Sequence, residues 1–502
     1  MLGLFFAGKR RDFSDPGELR RALRELAQAH PKAAMNMVTV WLEQLSAADG
    51  LSPLRQAAVA YQLENGAMPH LHMLERSGLL GAREIDLDAP EDWLAVCHDY
   101  WSAQCLAYEI CLNRSRGADR AESHAQPAAP SMLPRLGVRL LRSCRQRMKF
   151  EYLRSGPLDD GLWQIAGAAC LAAQDAGLGA QGVADPARER ETSIESEYRQ
   201  LIALRIASLE ALSPFEVEIA DQLVGQISPW FSLSAEPAAE STHWVDATQP
   251  QPPLRIVRRP HAVSGVRYFS AAEASALLRA QLATTVWDHA PHPDSFHWPI
   301  ADVELRRVAA HLADNWDARP PIRAYPRHAW RSGLRITHGL SLIHHVLRGA
   351  QDEDGVALLS RWEIADASRG GLRALAPYVG SEWVRVGMLV GLQPEDGARW
   401  LVGVVRRYLR QHDARGAVGI ETLSADPIAM DVFSESHCDD ALALDPVSIG
   451  RPLRVVVGHE RFQTGQALHA SARGLRVRLD PLELIERGAD FDIARYRVAD
   501  FR

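Results

Sequence analysis

The spacing of apolar residues changes once along this chain, and that change constrains the fold more than any other feature. Before about residue 230 apolar positions recur at helical spacing: Leu19, Leu23, Leu26 and Ala27, then Met35, Val38, Trp41, Leu42 and Leu45, then Trp93, Val96, Cys97, Tyr100 and Tyr108. Such stripes are the buried faces of helices. From Leu334 onward apolar and polar residues alternate, the period of strands with one face in a core. The expected fold class is therefore α+β multidomain: an N-terminal all-α helical domain, then a small antiparallel β-barrel with an extra strand set.

Local signals place the boundaries. Asp15-Pro16-Gly17-Glu18 and Ser52-Pro53 carry an N-cap and a proline at the first helical position, and further helices are expected near 134–155, 158–177, 193–212 and 214–228. Segments 112–132 and 178–192 read as exposed loops, and no period of 30–50 residues marks a repeat scaffold. The helical domain is expected over 1–232. A Pro-, Gln- and Ser-rich linker covers 233–254, and a mixed strand–helix segment covers 255–320, with helices near 270–282 and 302–316. Strands at 334–347, 357–365, 371–376, 384–392, 400–409 and 416–423, separated by Gly- and Asp-rich turns, imply a barrel over 321–425. A C-terminal strand extension follows over 426–502, with strands at 453–457, 466–485 and 491–498.

Charge and cysteine usage exclude several classes. The net charge of −7 disfavours a surface built to neutralise nucleic-acid phosphates. Six cysteines without any Cys-x-x-Cys read as small buried residues in a reducing compartment. No apolar run reaches the length of a membrane span, and the charges at Lys9-Arg10-Arg11 follow the short apolar N-terminus rather than precede it. A cytoplasmic protein without a transmembrane segment is expected.

Against the acidic whole, residues 321–350 hold five arginines, Arg323, Arg327, Arg331, Arg335 and Arg348, and no acid. Arginine's planar fork fits phosphate oxygens and stacks on base planes, so Arg327-x-x-x-Arg331 is a candidate phosphodiester grip. Downstream, Asp366-Ala-Ser368-Arg-Gly370-Gly371 combines a carboxylate able to accept from a guanine edge with two glycines that allow close approach of a flat ligand. Arginines are so abundant here that about five Arg-x-x-x-Arg matches are expected by chance, whereas Asp-x-Ser-x-x-Gly is expected only about 0.1 times. A tight hairpin beside a solvated basic strand edge is the plainer reading of the same residues.

In this order and context, Arg-x-x-x-Arg, Asp-x-Ser-x-x-Gly and the later runs Val384-Arg-Val-Gly-Met-Leu-Val-Gly-Leu, Trp400-Leu-Val-Gly-Val-Val-Arg-Arg and Val418-Gly-Ile-Glu resemble the PilZ family of cyclic di-GMP receptors over about 321–425. The resemblance implies a six-stranded barrel in which Arg327 and Arg331 hold phosphates and stack on guanine, while Asp366, Ser368 and Gly371 form a guanine-contacting turn. The gap from Arg331 to Asp366 is longer than usual for that family, so Arg323 with Arg327 is an equally spaced alternative pair.

Other clusters are weaker. His289, His292, Asp294 and His297 are metal-ligand types in a Pro-rich loop with no supporting framework. The pairs His70/His72 and His344/His345 read as surface or strand residues, and no nucleophile, P-loop or dinucleotide motif is present. The expectation is a bacterial signalling effector, not an enzyme. It takes cyclic di-GMP as ligand, needs no cofactor or metal, binds no nucleic acid, and signals through an unidentified protein partner of the helical domain. The alternatives are a helical interaction scaffold with a ligand-free barrel and, third, an enzyme with no recognisable motif.

Overall fold

The computed structural model describes residues 11–501, apart from 49, 84–91, 123–131, 186–189, 259, 261–263, 285–299, 320–324, 350–358, 379–382, 398, 414 and 434–437. The chain divides into two compact units. One comprises residues up to 321, and the other comprises 322 onward with the short segments 155–157 and 210–213.

The first unit is mainly helical: α1 (Pro16–Gln28), α2 (Pro31–Ser46), α3 (Pro53–Arg83), α4 (Asp92–Glu122), α5 (Leu133–Leu153) and α6 (Gly161–Asp175), a hairpin of β1 (Val183–Asp185) and β2 (Arg190–Thr192), then α7 (Ile194–Ile206) and α8 (Pro214–Gln226). The cap signals act as read. The Asp15 carboxylate accepts from Gly17 N at 2.8 Å with Pro16 opening α1, which buries Leu19, Ala22 and Leu26. Two loop expectations change. Helix α4 continues to Glu122 through the first half of 112–132, and 178–192 contains the β1–β2 hairpin.

Helix α5 buries Arg145, Lys149 and Glu151 as well as its apolar side chains. Burial of charge is tolerable only with partners in place. Lys149 Nζ lies 2.8 Å from Glu218 Oε2 and 3.6 Å from Glu75 Oε1, and Arg145 and Gln146 both donate to the Asp221 carboxylate.

Segment 233–254, expected as a linker, is instead structured. Strands β3 (Ser232–Ser234), β4 (His243–Asp246), β5 (Leu254–Arg255) and β6 (Val266–Ser270) form one sheet in the order β3-β6-β4-β5. The prolines lie in the loops between the strands, while Thr242, His243, Val245 and Ala247 are buried. Nor is the mixed segment 255–320 a separate body. Helices α9 (Ala272–Leu282) and α10 (Asp302–Trp316) follow the sheet, Trp316 Nε1 donates to Ala203 O at 3.1 Å, and Arg267 Nη2 donates to Gln174 Oε1 at 2.6 Å. Both bonds tie it to the helices.

The second unit contains β7 (His328–His338), α11 (Leu340–Leu347), β8 (Ser360–Ser368), β9 (Gly371–Pro377), β10 (Leu389–Pro394), β11 (Leu401–Arg410) and β12 (Arg415–Ser424), followed by β13 (Ile428–Phe433), β14 (Cys438–Ala443), β15 (Pro452–Gly458), β16 (Leu468–Ala472), β17 (Leu475–Arg487) and β18 (Phe491–Asp500). These strands form two closed antiparallel barrels, β7-β8-β9-β12-β11-β10 and β13-β14-β15-β18-β17-β16. Closure leaves no open sheet edge in either. The strand connectivity is the same in both, so the C-terminal strands form a barrel of their own.

Each barrel has its own core. Leu334, Ile336, Trp362, Ile364, Val390 and Val418 fill the first, and Met430, Val455, Val477, Leu479 and Tyr496 the second. A third apolar layer joins the outer faces of the two: Leu389, Val402 and Val404 meet Leu442, Val456, Phe491 and Ile493, with Ile343 of α11 among them. That helix replaces the second half of the strand expected at 334–347. Gly339, at φ +79°, breaks the strand, and Leu340, Ile343 and Leu347 then recur at helical spacing. Strand β10 starts later than expected because 384–388 is turn, and 466–485 splits at Arg473-Gly474 into two strands. Five cysteines are buried as expected, whereas Cys438 on β14 is exposed.

Candidate functional site

The site lies at one rim of the first barrel, where β7 begins and the β8–β9 hairpin turns. Strand β8 alternates, with Trp362 and Ile364 inward, and so carries Asp366 to the rim two residues further on. Irregularities flank this position on both ladders. Against β7, the pairing moves from Ala329↔Asp366 to Ser332↔Ile364. Against β9, it moves from Ile364↔Ala374 to Asp366↔Arg373. Bulges of this kind re-aim side chains and recur beside binding sites. The first leaves Trp330 and Arg331 of β7 together opposite the single residue Ala365 of β8.

Two predicted residues meet directly. Arg327 Nη1 donates to Asp366 Oδ1 at 2.5 Å, with both side chains partly exposed. Arg331 is exposed and, among the described residues, has no ion-pair partner. Ser368 Oγ donates to Gly371 O at 3.2 Å, which closes the turn. The alternative arginine, Arg323, lies outside the described residues, as do His289, His292, Asp294 and His297.

The two glycines have separate steric causes. A Cβ on Gly371, whose φ is +157°, would lie 2.1 Å from Ile420 O, so strand β12 approaches too closely for any side chain. A Cβ on Gly370 would lie 3.1 Å from the Tyr325 ring. That ring therefore rests against the turn, with the Arg369 guanidinium 5.7 Å from its centroid.

Beside the Arg327–Asp366 pair is an open cavity of about 470 Å³, lined by Tyr325, Pro326, His328, Trp330, Ala367, Ser368 and Arg369. Sequence reading missed Tyr325, Trp330 and Arg369. The available signal was the aromatic interleaving of Tyr325-Pro-Arg-His-Ala-Trp330 among the arginines. Trp330 is held in place by Asp396, which accepts from its Nε1 at 3.1 Å and from Ser332 Oγ at 3.0 Å. The structure brings together the guanidinia of Arg327 and Arg369, flat surfaces for stacking, and a carboxylate that accepts, among the described residues, only from Arg327, whereas Arg331 lies on β7 outside the cavity lining.

Residues 17–238 match the family model described as the N-terminal domain of the cyclic-di-GMP receptor FimW. The match supports a relation to a family of cyclic-di-GMP receptors. It covers most of the helical domain and ends well before the barrel rim. No curated protein matches the chain. Among the described residues no helix is long and apolar enough to cross a membrane.

Proposed function

We propose that this chain is a cyclic di-GMP receptor whose PilZ-like first barrel holds the ligand at the rim between β7 and the β8–β9 turn. The observation that carries this reading is the juxtaposition of Arg327 and Asp366, residues 39 positions apart, beside a cavity lined by stacking groups. The family match lies in a different part of the chain and points to the same ligand, so the two supports are independent.

The chemistry follows from the groups present. Arg331 and Arg327 give charge-assisted bonds to phosphate oxygens, and Arg369, Tyr325 and Trp330 offer planes for guanine. The ligand-free Arg327–Asp366 pair is an exposed ion pair, worth roughly 0–1 kcal/mol, so exchanging it for phosphate contacts costs little. Freed from Arg327, Asp366 accepts from the guanine edge. Binding and a change of protein contact, rather than turnover, form the output. The helical domain is proposed as the part that meets a protein partner, in a cytoplasmic setting. Calorimetric titration of the full chain with cyclic di-GMP tests this: saturable heat that is lost in Arg331→Ala supports it. No heat with the native chain leaves Arg327–Asp366 as a rim clasp on a ligand-free barrel.

A further inference from the structure

We infer that the second unit carries a site for a divalent transition metal of the zinc type, held by His344, Asp431 and Asp440. Asp431 on β13 and Asp440 on β14 are direct cross-strand partners, so their carboxylates share a face. Like charges placed opposite one another destabilise a ladder, and a cation between them relieves this.

Helix α11 presents His344 to that pair. Its side chain is 9% exposed, with Nε2 at 3.4 Å from Asp431 Oδ1 and Nδ1 at 3.2 Å from Asp440 Oδ1. A neutral imidazole has one N–H and can serve only one carboxylate. Nε2 is indeed buried without a hydrogen-bond partner. An ion at this place satisfies the unpartnered nitrogen and both acids together.

One ligand atom from each of the three residues lies within 4.8 Å of the others, compatible with a common ion at about 2.0–2.2 Å from each. Two carboxylates balance a dication, and an imidazole among the donors favours zinc and its neighbours over magnesium or calcium. Arg348 pairs with the other oxygen of Asp431 and so fixes that carboxylate from outside, the role of an outer-shell partner. The helix follows the first strand of one barrel and the two acids open the next, so the ion would cross-link the barrels. The sequence reading placed His344 and His345 on a strand or at the surface. The helix that starts after Gly339 instead turns His344 inward.

The full chain, stripped with a chelator, is titrated with Zn²⁺ against a chromophoric competitor and separately with Co²⁺ followed by visible absorption. One equivalent is expected to bind, with no competition from Mg²⁺. His344→Gln and Asp440→Asn are each expected to weaken binding about tenfold or more. Asp440 is partly exposed, so Asp440→Asn keeps the test decisive if His344→Gln fails to fold. No stoichiometric binding by the native chain would overturn the proposal and leave His344 as a side chain packed between the two acids. Affinity unchanged by Asp440→Asn would also overturn it, because the ion would then be held elsewhere.

Discussion

The two barrels share one connectivity and differ at the same corner. In the first, the β8–β9 turn presents Asp366 to a single arginine from outside the hairpin, beside an open cavity. In the second, the corresponding β14–β15 connection contains Asp445, and Arg454 saturates it: Nη2 donates at 2.7 Å, Nε at 3.0 Å and the backbone N at 3.1 Å. These bonds hold the Asp445 carboxyl below its ordinary pKa. The segment entering the second barrel, Ser424-Ala-Asp426-Pro, is acidic where the lead-in to the first is basic. The same fold thus closes one corner on itself and leaves the other able to exchange partners; function resides in the site and not in the barrel.

The largest expected effect tests whether the barrels are energetically one body. Phe491 is fully buried in the layer between them, so Phe491→Ala should cost about 3–5 kcal/mol in denaturant unfolding. Its effect should reach both barrels in one transition. Two transitions, with the first barrel's midpoint unchanged, would show that the shared layer does not couple them.

Next in size, Gly371→Ala should cost several-fold more stability than Gly370→Ala, measured by the same unfolding. The first places a Cβ 2.1 Å from the fixed Ile420 carbonyl, whereas the second meets only the Tyr325 ring, which can give way. Equal effects would mean that the close approach of β12 does not set the turn.

The two acids sharpen the comparison directly. Asp366→Ala should weaken cyclic di-GMP binding by about 1–3 kcal/mol while shifting the ligand-free melting midpoint little. Asp445→Ala should do the opposite, costing about 1 kcal/mol of stability with binding unchanged. A reversal would assign the structural role to Asp366.

The helices and most strands of the first barrel were legible in the sequence, but the contrast between two barrels was not, since 426–502 read only as a strand extension. Capping chemistry and apolar stripes located the helices because those signals are local: Asp15-Pro16 opens α1, and Asp302–Trp316 is a helix as expected. Alternation located most strands of the first barrel. The short strands β13 and β14 escaped because Asp431, Asp439 and Asp440 interrupt the apolar pattern there. Segment 233–254 looked like a linker because its prolines mask the brief alternation of His243-Trp-Val-Asp246. Of the site, the Arg and Asp motifs were visible as residue types. Their meeting across 39 positions depends on ladder register and two bulges, and Tyr325 joins them only because Gly370 leaves room.

A separate expected effect lies in the helical unit and leaves the barrel comparison untouched. Burial raises the Glu75 carboxyl to about 7, against the pull of Lys149. A folded-state value above the unfolded one contributes stability at low pH that is lost as pH rises through about 7. The helical unit should therefore lose stability between roughly pH 4.5 and 7, and Glu75→Gln should flatten that slope, read by melting across pH. A slope unaltered by Glu75→Gln would place the titration elsewhere.

The most direct test of the central reading is calorimetric titration of the full native chain and of Arg331→Ala with cyclic di-GMP. Arg331 is exposed and has no ion-pair partner among the described residues, so its loss leaves the fold intact and removes only ligand contacts. Saturable binding by the native chain, weakened by about 2 kcal/mol in the variant, is the expected result. Identical titration curves for the two proteins would contradict the assignment of the first barrel's rim as the cyclic di-GMP site.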